Sequence, residues 1–368
     1  MQKIDNIEIK NFKSIRHQKI EGCQRINVFI GYPNVGKSNI LEALSLFSID
    51  RPHADFSAFV RMKELTTLFF DGNINDKIEI RLNKRNRIIT SVSESDNGVI
   101  FVWQLSHDDY SFDRMSSDDK LYHMLSYIKT QDRNEVLSWD SIFKRRPRSP
   151  EFYKELESDS LYPIKKYSFE KNIVHINGKY DSLSTSNGEN IFDIIYTHPE
   201  IRKEISNLFE IYNLKLLYNS TEKRFSILKN LSDAVIFSIP YELVADTLQR
   251  LIFYKTAILS NKDSILLFEE PESHMFPPYI SKFTNDIIFD KNDNQYFIAT
   301  HSPYVLNDFM DNLKSDQLAI YIVTNKSETG ETEIHRMKEQ DMHEAYQFGY
   351  DFFMNIDKFI PQEQHDEV

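Results

Sequence analysis

Residues 31–38 read Gly-Tyr-Pro-Asn-Val-Gly-Lys-Ser. Two glycines bracketing four residues, followed at once by a lysine and a hydroxyl, are suited to holding phosphate. The glycines let a tight turn aim backbone N–H groups at one point, and a helix that opens there adds the positive end of its dipole. Asn34, Val35, Gly36, Lys37, Ser38 and Asn39 are the candidate nucleotide-binding residues. In such a loop the Lys37 ammonium reaches the β- and γ-phosphates, and the Ser38 hydroxyl is placed to ligate Mg²⁺. ATP and Mg²⁺ are the cofactors expected from this chemistry.

A second cluster lies far downstream. Ile265-Leu266-Leu267-Phe268 leads into Glu269-Glu270, so an apolar strand delivers two carboxylates at its C-terminal edge, where open α/β sheets bind ligands. Glu269 is the candidate metal ligand, directly or through water. Glu270 is the candidate that accepts a proton from the attacking water or orients it. Phe297-Ile298-Ala299-Thr300-His301-Ser302-Pro303 repeats the pattern of a short strand and a polar tip. His301 is the second catalytic candidate, able to hydrogen-bond a γ-phosphate or the lytic water.

The elements that must position these groups are legible in part. Ile26 to Ile30 is an apolar run of the buried-strand kind, and Ile40, Leu41, Ala43, Leu44 and Phe47 mark a helix after the loop. Leu68-Phe69-Phe70, Lys77 to Leu82 and Val99 to Trp103 read as strand-like segments, separated by Asp-Gly and Asn-Gly turns. From about 105 to 234 the text turns charged, aromatic and mostly helical. Leu121 to Lys129, Asn134 to Phe143 and Ile201 to Tyr212 are the expected amphipathic helices, and Lys144-Arg145-Arg146-Pro147-Arg148 is the densest basic cluster. Beyond 235 the order is a helix at 243–259, a strand at 264–268, a helix at about 278–288, a strand at 296–299, a helix near Val305 and a strand at 318–323. Alternation of this kind implies a largely parallel sheet with covered faces.

Taken together, Ile9-Lys10-Asn11-Phe12-Lys13-Ser14-Ile15, the Gly-x-x-x-x-Gly-Lys-Ser-Asn-Ile-Leu-Glu-Ala-Leu run, Phe-Glu-Glu-Pro-Glu-Ser-His and Thr-His-Ser-Pro resemble ABC-type ATPase heads. The resemblance is to the group that joins overcoming-lysogenization-defect (OLD) proteins, the RecF/SMC branch and their prokaryotic AAA-type cousins. The Glu-Glu-Pro-Glu form is closer to the OLD-like branch. It covers about 1–100 and 235–325, and implies an α/β, ABC-type P-loop ATPase head with a mixed or parallel sheet. The core would be split between 1–104 and 235–340, with a mainly helical insertion at 105–234 and a tail at 341–368. The family also implies ATP held between two subunits against a Ser-x-Gly signature. Here Val244-Ala245-Asp246 stands in that place without the glycine, leaving Ser238, Thr247 and Arg250 as alternatives. The family's Q-loop glutamine has no clear counterpart, with Asp71 the nearest candidate. Phe12 and Lys13 match a position near the nucleotide.

Composition narrows the company such a protein keeps. The 368 residues carry a net charge of −12, which disfavours broad affinity for nucleic-acid backbones. With 40% apolar residues, including 27 Phe and 19 Tyr, a large core is available. Cys23 is the one cysteine, so no internal disulfide or cysteine-built metal site forms. The apolar runs are short and the first residues polar, which gives a cytoplasmic expectation with no membrane partner. The segment after Pro303 is short for a Toprim nuclease, so a stand-alone ATPase is expected. It would self-associate through ATP as a dimer or higher oligomer and control a separately encoded effector such as a nuclease in anti-phage defence. A RecF-like, ATP-gated DNA-binding repair protein and a nucleotide-bound scaffold with little turnover are the alternatives.

Overall fold

The computed structural model describes residues 3–48, 59–83, 86–95, 98–107, 123–128, 163–171, 175–176, 180–219, 221–222, 224–232, 235–348 and 352–360. The chain forms two compact units, 1–164 with 297–301 and 315–368, and 165–296 with 302–314.

In the first unit, β1 (Asn6–Phe12) and β2 (Ile15–Glu21) form a hairpin, and β4 (Ile78–Leu82) pairs with the other edge of β1. β5 (Asn86–Ser95), β6 (Gly98–His107) and β7 (His123–Ile128) extend this antiparallel sheet in the order β2-β1-β4-β5-β6-β7. Alternation decides the faces of β1: Ile7, Ile9 and Phe12 are buried, and the residues between them are half-exposed. The second element of this unit is β3 (Ile26–Ile30), buried at every position. It pairs in parallel with β14 (Leu318–Asn325), with Leu318 opposite Ile26 and Ile322 opposite Ile30. β15 (Thr332–Arg336) returns antiparallel to β14. Burial on both faces explains why β3 and β14 read as nearly continuous apolar runs. From β3 the chain turns into α1 (Lys37–Ser45), whose Ile40, Leu41, Ala43 and Leu44 are buried.

The second unit begins with β8 (Ile164–Tyr167) and two consecutive helices, α2 (Ile191–Thr197) and α3 (Pro199–Glu210). A meander follows, β9 (Leu214–Asn219), β10 (Arg224–Ser232) and β11 (Val235–Pro240), in the order β11-β10-β9. Next come α4 (Asp246–Ser260), β12 (Ile265–Glu269), α5 (Pro277–Ile288), β13 (Gln295–Ala299) and α6 (Pro303–Asn312). Pro277 and Pro303 start α5 and α6 where the missing N–H costs nothing. Tyr254, Phe268 and Phe283 meet edge to face with centroids 5.3–5.8 Å apart, which locks α4 and α5 onto β12. Within the first unit β14 lies between β15 and β3, with residues 297–299 of β13 beside β3, and within the second β12 lies between residues 295–296 of β13 and β8. Helical crossovers between successive strands give the α/β class with the mixed, largely parallel sheet expected from the sequence.

Three local expectations change. Leu121 to Lys129 was expected as a helix, but 123–128 is the strand β7, with Val99 opposite Ile128. Nine residues fit either period, and a neighbouring strand with open hydrogen-bonding groups decides between them. Leu68-Phe69-Phe70 is not a strand but a pair of 3₁₀ turns, 65–68 and 70–72, with Leu68 and Phe69 buried. Asp71, at φ 51°, turns the chain before a ladder can form, and its place in that turn gives it no strand-end position. Between 105 and 234 the helical reading holds for α2 and α3, while β7, β8, β9 and β10 are strands. The expected helix at 134–143 and the basic cluster at 144–148 lie outside the described residues.

Among the described residues, α7 (Glu339–Phe348) is the last α-helix of the first unit, and a 3₁₀ turn at 356–359 follows it. No described helix is long and apolar enough to cross a membrane.

Candidate functional site

The 31–38 loop leaves β3 and enters α1 as the sequence pattern requires. Gly36 is the residue just before the helix, at φ 101°, a conformation that side chains disfavour. Space forbids a side chain as well: a Cβ on Gly36 would lie 2.2 Å from Thr332 Oγ1, and one on Gly31 would lie 2.2 Å from the Val323 carbonyl oxygen. Asn34 also takes a positive φ of 63°, which asparagine tolerates better than most residues. The two glycines are thus fixed by packing behind the loop as well as by the turn.

Lys37 is 5% exposed. Its ammonium donates to the carbonyls of Gly31 at 3.0 Å and Tyr32 at 2.7 Å, so it bends back over its own loop. A buried ammonium needs such acceptors, and in this pose it is already held above the turn that the glycines shape. Ser38 is half-buried on the first turn of α1. Asn39 is anchored from behind, its side-chain amide donating to Ser14 Oγ at 2.7 Å. On the same helix, the fully buried Glu42 accepts from Lys13 and from Arg61 Nε at 2.6 Å. Lys13 therefore anchors the first turns of α1, and the neighbouring Phe12 is core, 0% exposed.

His301 follows β13, whose residues 297–299 belong with the loop to the first unit. Thr300 N–H donates to the Phe29 carbonyl at 3.1 Å, and Phe29 stacks on Phe297 with centroids 6.4 Å apart. The strand that feeds the loop is therefore the one that fixes the residue before His301. Ser302, just after it, caps α6 by accepting from Val305 N–H.

The two acids belong to the second unit. Glu269 ends β12 and is 3.7 Å from the ammonium of Lys166, a buried lysine on β8. Glu270 is the first residue beyond the strand, exposed and at φ 42°, with Ser273 Oγ donating to its Oε2 at 3.3 Å. A non-glycine residue held in this region is a costly conformation, of the kind that clusters at functional turns. Thr247 on α4 donates to the His274 carbonyl at 3.1 Å and so braces the same turn.

The other candidates for the missing signature are placed differently. Ser238 lies in β11 opposite Leu228, and Arg250 stacks its guanidinium 4.7 Å from the Phe169 ring. The start of α4 carries Asp246, which meets Lys171 at 2.8 Å. The hydrogen bond from that lysine holds the Asp246 carboxyl below its ordinary range. An ionised acid therefore already sits on this helix N-terminus, where it complements the dipole.

Hard oxygen donors suit Mg²⁺: the Ser38 hydroxyl and the Glu269 carboxylate are of that type. Among the described residues no group of three His, Cys, Asp or Glu side chains forms a metal cage. Three residues at the loop were invisible in the sequence reading: Asn325, Ser14 in its positioning role, and Thr332. Lys166 was likewise missed beside Glu269. Asn325, Thr332 and Lys166 belong to no local motif, and Ser14, although it lies in the Ile9–Ile15 run, finds its partners only in the fold.

The buried strand, the glycine loop and the helix that follows it give an SMC-head-like P-loop ATPase fold. The chain belongs to the family described as "AAA domain, putative AbiEii toxin, Type IV TA system", whose profile matches residues 26–307. Its fold is similar to that in "Crystal structure of the SmcHead bound to the C-winged helix domain of ScpA", with a TM-score of 0.51 at 16% identity, covering 92% of this chain and 99% of that one. In sequence it is 23% identical over 177 residues to "DNA replication and repair protein RecF" of Thermoanaerobacter sp., spanning 44% of this chain and 49% of the relative. It is 49% identical over 41 residues to "ATP/GTP phosphatase" of Helicobacter pylori, 11% of each chain. The chain thus spans about half the length of this RecF relative and far less of the phosphatase.

Proposed function

We propose that this protein binds ATP with Mg²⁺ at the 31–38 loop and hydrolyses it. The observation that carries the reading is the loop itself, with two glycines that admit no side chain and a buried lysine bent over the turn. Backbone N–H groups of 34–39 and the Lys37 ammonium hold the phosphates, while Ser38 and Glu269 supply oxygens to the metal. Glu270 takes a proton from the attacking water as its oxygen bonds to the γ-phosphorus and the bond to ADP breaks. His301 hydrogen-bonds the γ-phosphate or that water. Hydrolysis serves regulation: ATP closes a dimer or higher oligomer in the cytoplasm, and turnover changes its hold on a separately encoded effector in prokaryotic anti-phage defence. The family's description, which names a toxin of a type IV toxin–antitoxin system, supports a defence role of this sort.

RecF similarity over 44% of the chain favours a second reading, an ATP-gated DNA-binding protein. Phosphate release by the native protein, Lys37→Ala and Glu270→Gln tests the chemistry. Lys37→Ala is expected to lose ATP binding, and Glu270→Gln to bind ATP while hydrolysing it about 10²–10⁴-fold more slowly. Undiminished binding by the first variant, or undiminished turnover by the second, would remove that residue from its role. Capture with Glu270→Gln and MgATP from the native host then separates the two uses. A co-eluting nuclease or toxin-like protein supports the effector-control reading, and duplex DNA with repair factors supports the other.

A further inference from the structure

We infer that Thr332 is a positioning residue of the nucleotide site, holding the Val35–Gly36 peptide so that the Gly36 N–H points into the loop. The inference rests on the reading of the 31–38 loop as a nucleotide site. Thr332 is the first residue of β15 and is 0% exposed. Its hydroxyl donates to the Val35 carbonyl at 2.9 Å. Thr332 Oγ1 and Ser14 Oγ are 2.6 Å apart, and Asn39 Nδ2 donates to Ser14 Oγ at 2.7 Å.

A threonine hydroxyl has one proton. Because Thr332 gives its proton to Val35, Ser14 must give its own to Thr332. The chain of donors therefore has one direction, from Asn39 to Ser14 to Thr332 to the Val35 carbonyl. The backbone closes it from the other side, with Thr332 N–H donating to the Ser14 carbonyl at 2.9 Å. Asn325 on β14, turned so that its amide nitrogen faces the loop, donates to the same Val35 carbonyl at 3.0 Å.

The consequence follows from peptide geometry. In a trans peptide the C=O and the following N–H point in opposite directions. Two donors that draw the Val35 carbonyl outward, toward β14 and β15, aim the Gly36 N–H inward. Gly36 also has to lack a side chain because the Thr332 hydroxyl occupies the space a Cβ would take, 2.2 Å away. A donor fixed before the ligand arrives costs no reorganisation when it binds, which is how preorganised N–H groups gain their strength. Of the contacts named, those of Thr332 link the β1–β2 turn, β15 and the loop.

Titration calorimetry with MgATP and MgADP on the whole chain tests this. Thr332→Val keeps the shape and removes the donor, so its Kd for both nucleotides is expected to rise about tenfold. Thr332→Ser is expected to stay within about threefold of the native protein, and KM for ATP should rise in Thr332→Val more than kcat falls. A folded Thr332→Val with native Kd overturns the inference and leaves the nucleotide site standing. Should Thr332→Val fail to fold, Ser14→Ala decides, since it breaks the same chain one link earlier: a weakened Kd supports the assignment and a native one overturns it. Equally absent MgATP binding in the native protein and in Lys37→Ala would overturn the site and the inference together.

Discussion

The glycine loop and the acidic strand end are held in opposite ways. At the loop, Gly36 is closed in by Thr332, Lys37 is buried on two carbonyls, and α1 is anchored through Asn39 and Glu42. At the end of β12, Glu270 is exposed on a left-handed turn, with a serine hydroxyl at 3.3 Å. Glu269 is 3.7 Å from the buried Lys166 ammonium. Buried packing fixes the glycine loop, while Glu270 stands exposed on a left-handed turn.

Substitutions can break this contrast, beginning with the tightest point. Gly36→Ala puts a methyl group against Thr332 and a side chain at φ 101°, and is expected to cost about 2–3 kcal/mol of stability. A thermal melt should fall by several degrees, with nucleotide binding lost alongside. Native stability in this variant would mean that the packing around Gly36 yields to an added methyl group. Lys166→Met removes the cation beside the partly buried Glu269, and removing one partner in this way is expected to cost about 1–3 kcal/mol. Denaturant unfolding should register that loss while the Kd for MgATP stays within about twofold. A large rise in Kd would show that nucleotide affinity depends on this lysine too.

The smallest effect concerns Cys23, buried under Tyr321, whose hydroxyl donates to its sulfur at 3.6 Å. Burial pushes the thiol up to about 12 from 9.0. The unfolded chain ionises this thiol first, so its contribution to stability is present below pH 9 and is lost as pH rises toward 12. Iodoacetamide at pH 8 should leave the native protein unmodified and add one group per chain in denaturant. Rapid labelling of the native protein would show that the edge of the first sheet opens far more readily than its packing implies.

Much of the fold was legible because it is written in local periodicity. Ile26–Ile30, Ile265–Phe268 and Leu318–Val323 read as buried strands, and each is one. Helices at 246–260, 277–288 and 303–312 fall close to where their patterns placed them. The misreadings lie where the pattern is short. The 121–129 segment fits both periods and was settled by pairing with β6, and Leu68-Phe69-Phe70 was apolar for the core rather than for a ladder. At the site, the loop was legible for the same reason as the strands: all its groups lie within a few residues of one another.

The sequence by itself determined the 31–38 glycine loop, the strand before it, the helix after it and the positions of the two acids at the end of their own strand. Those features depend on neighbours in the chain, whose spacing the covalent backbone sets. Only the tertiary structure decided what stands behind the loop. Thr332 meets Val35 across 297 residues, and Ser14, Asn325 and Lys166 reach their partners through strand pairing that no local pattern encodes. A hydrogen bond between distant residues depends on the register of whole strands, and register is settled when the sheet forms.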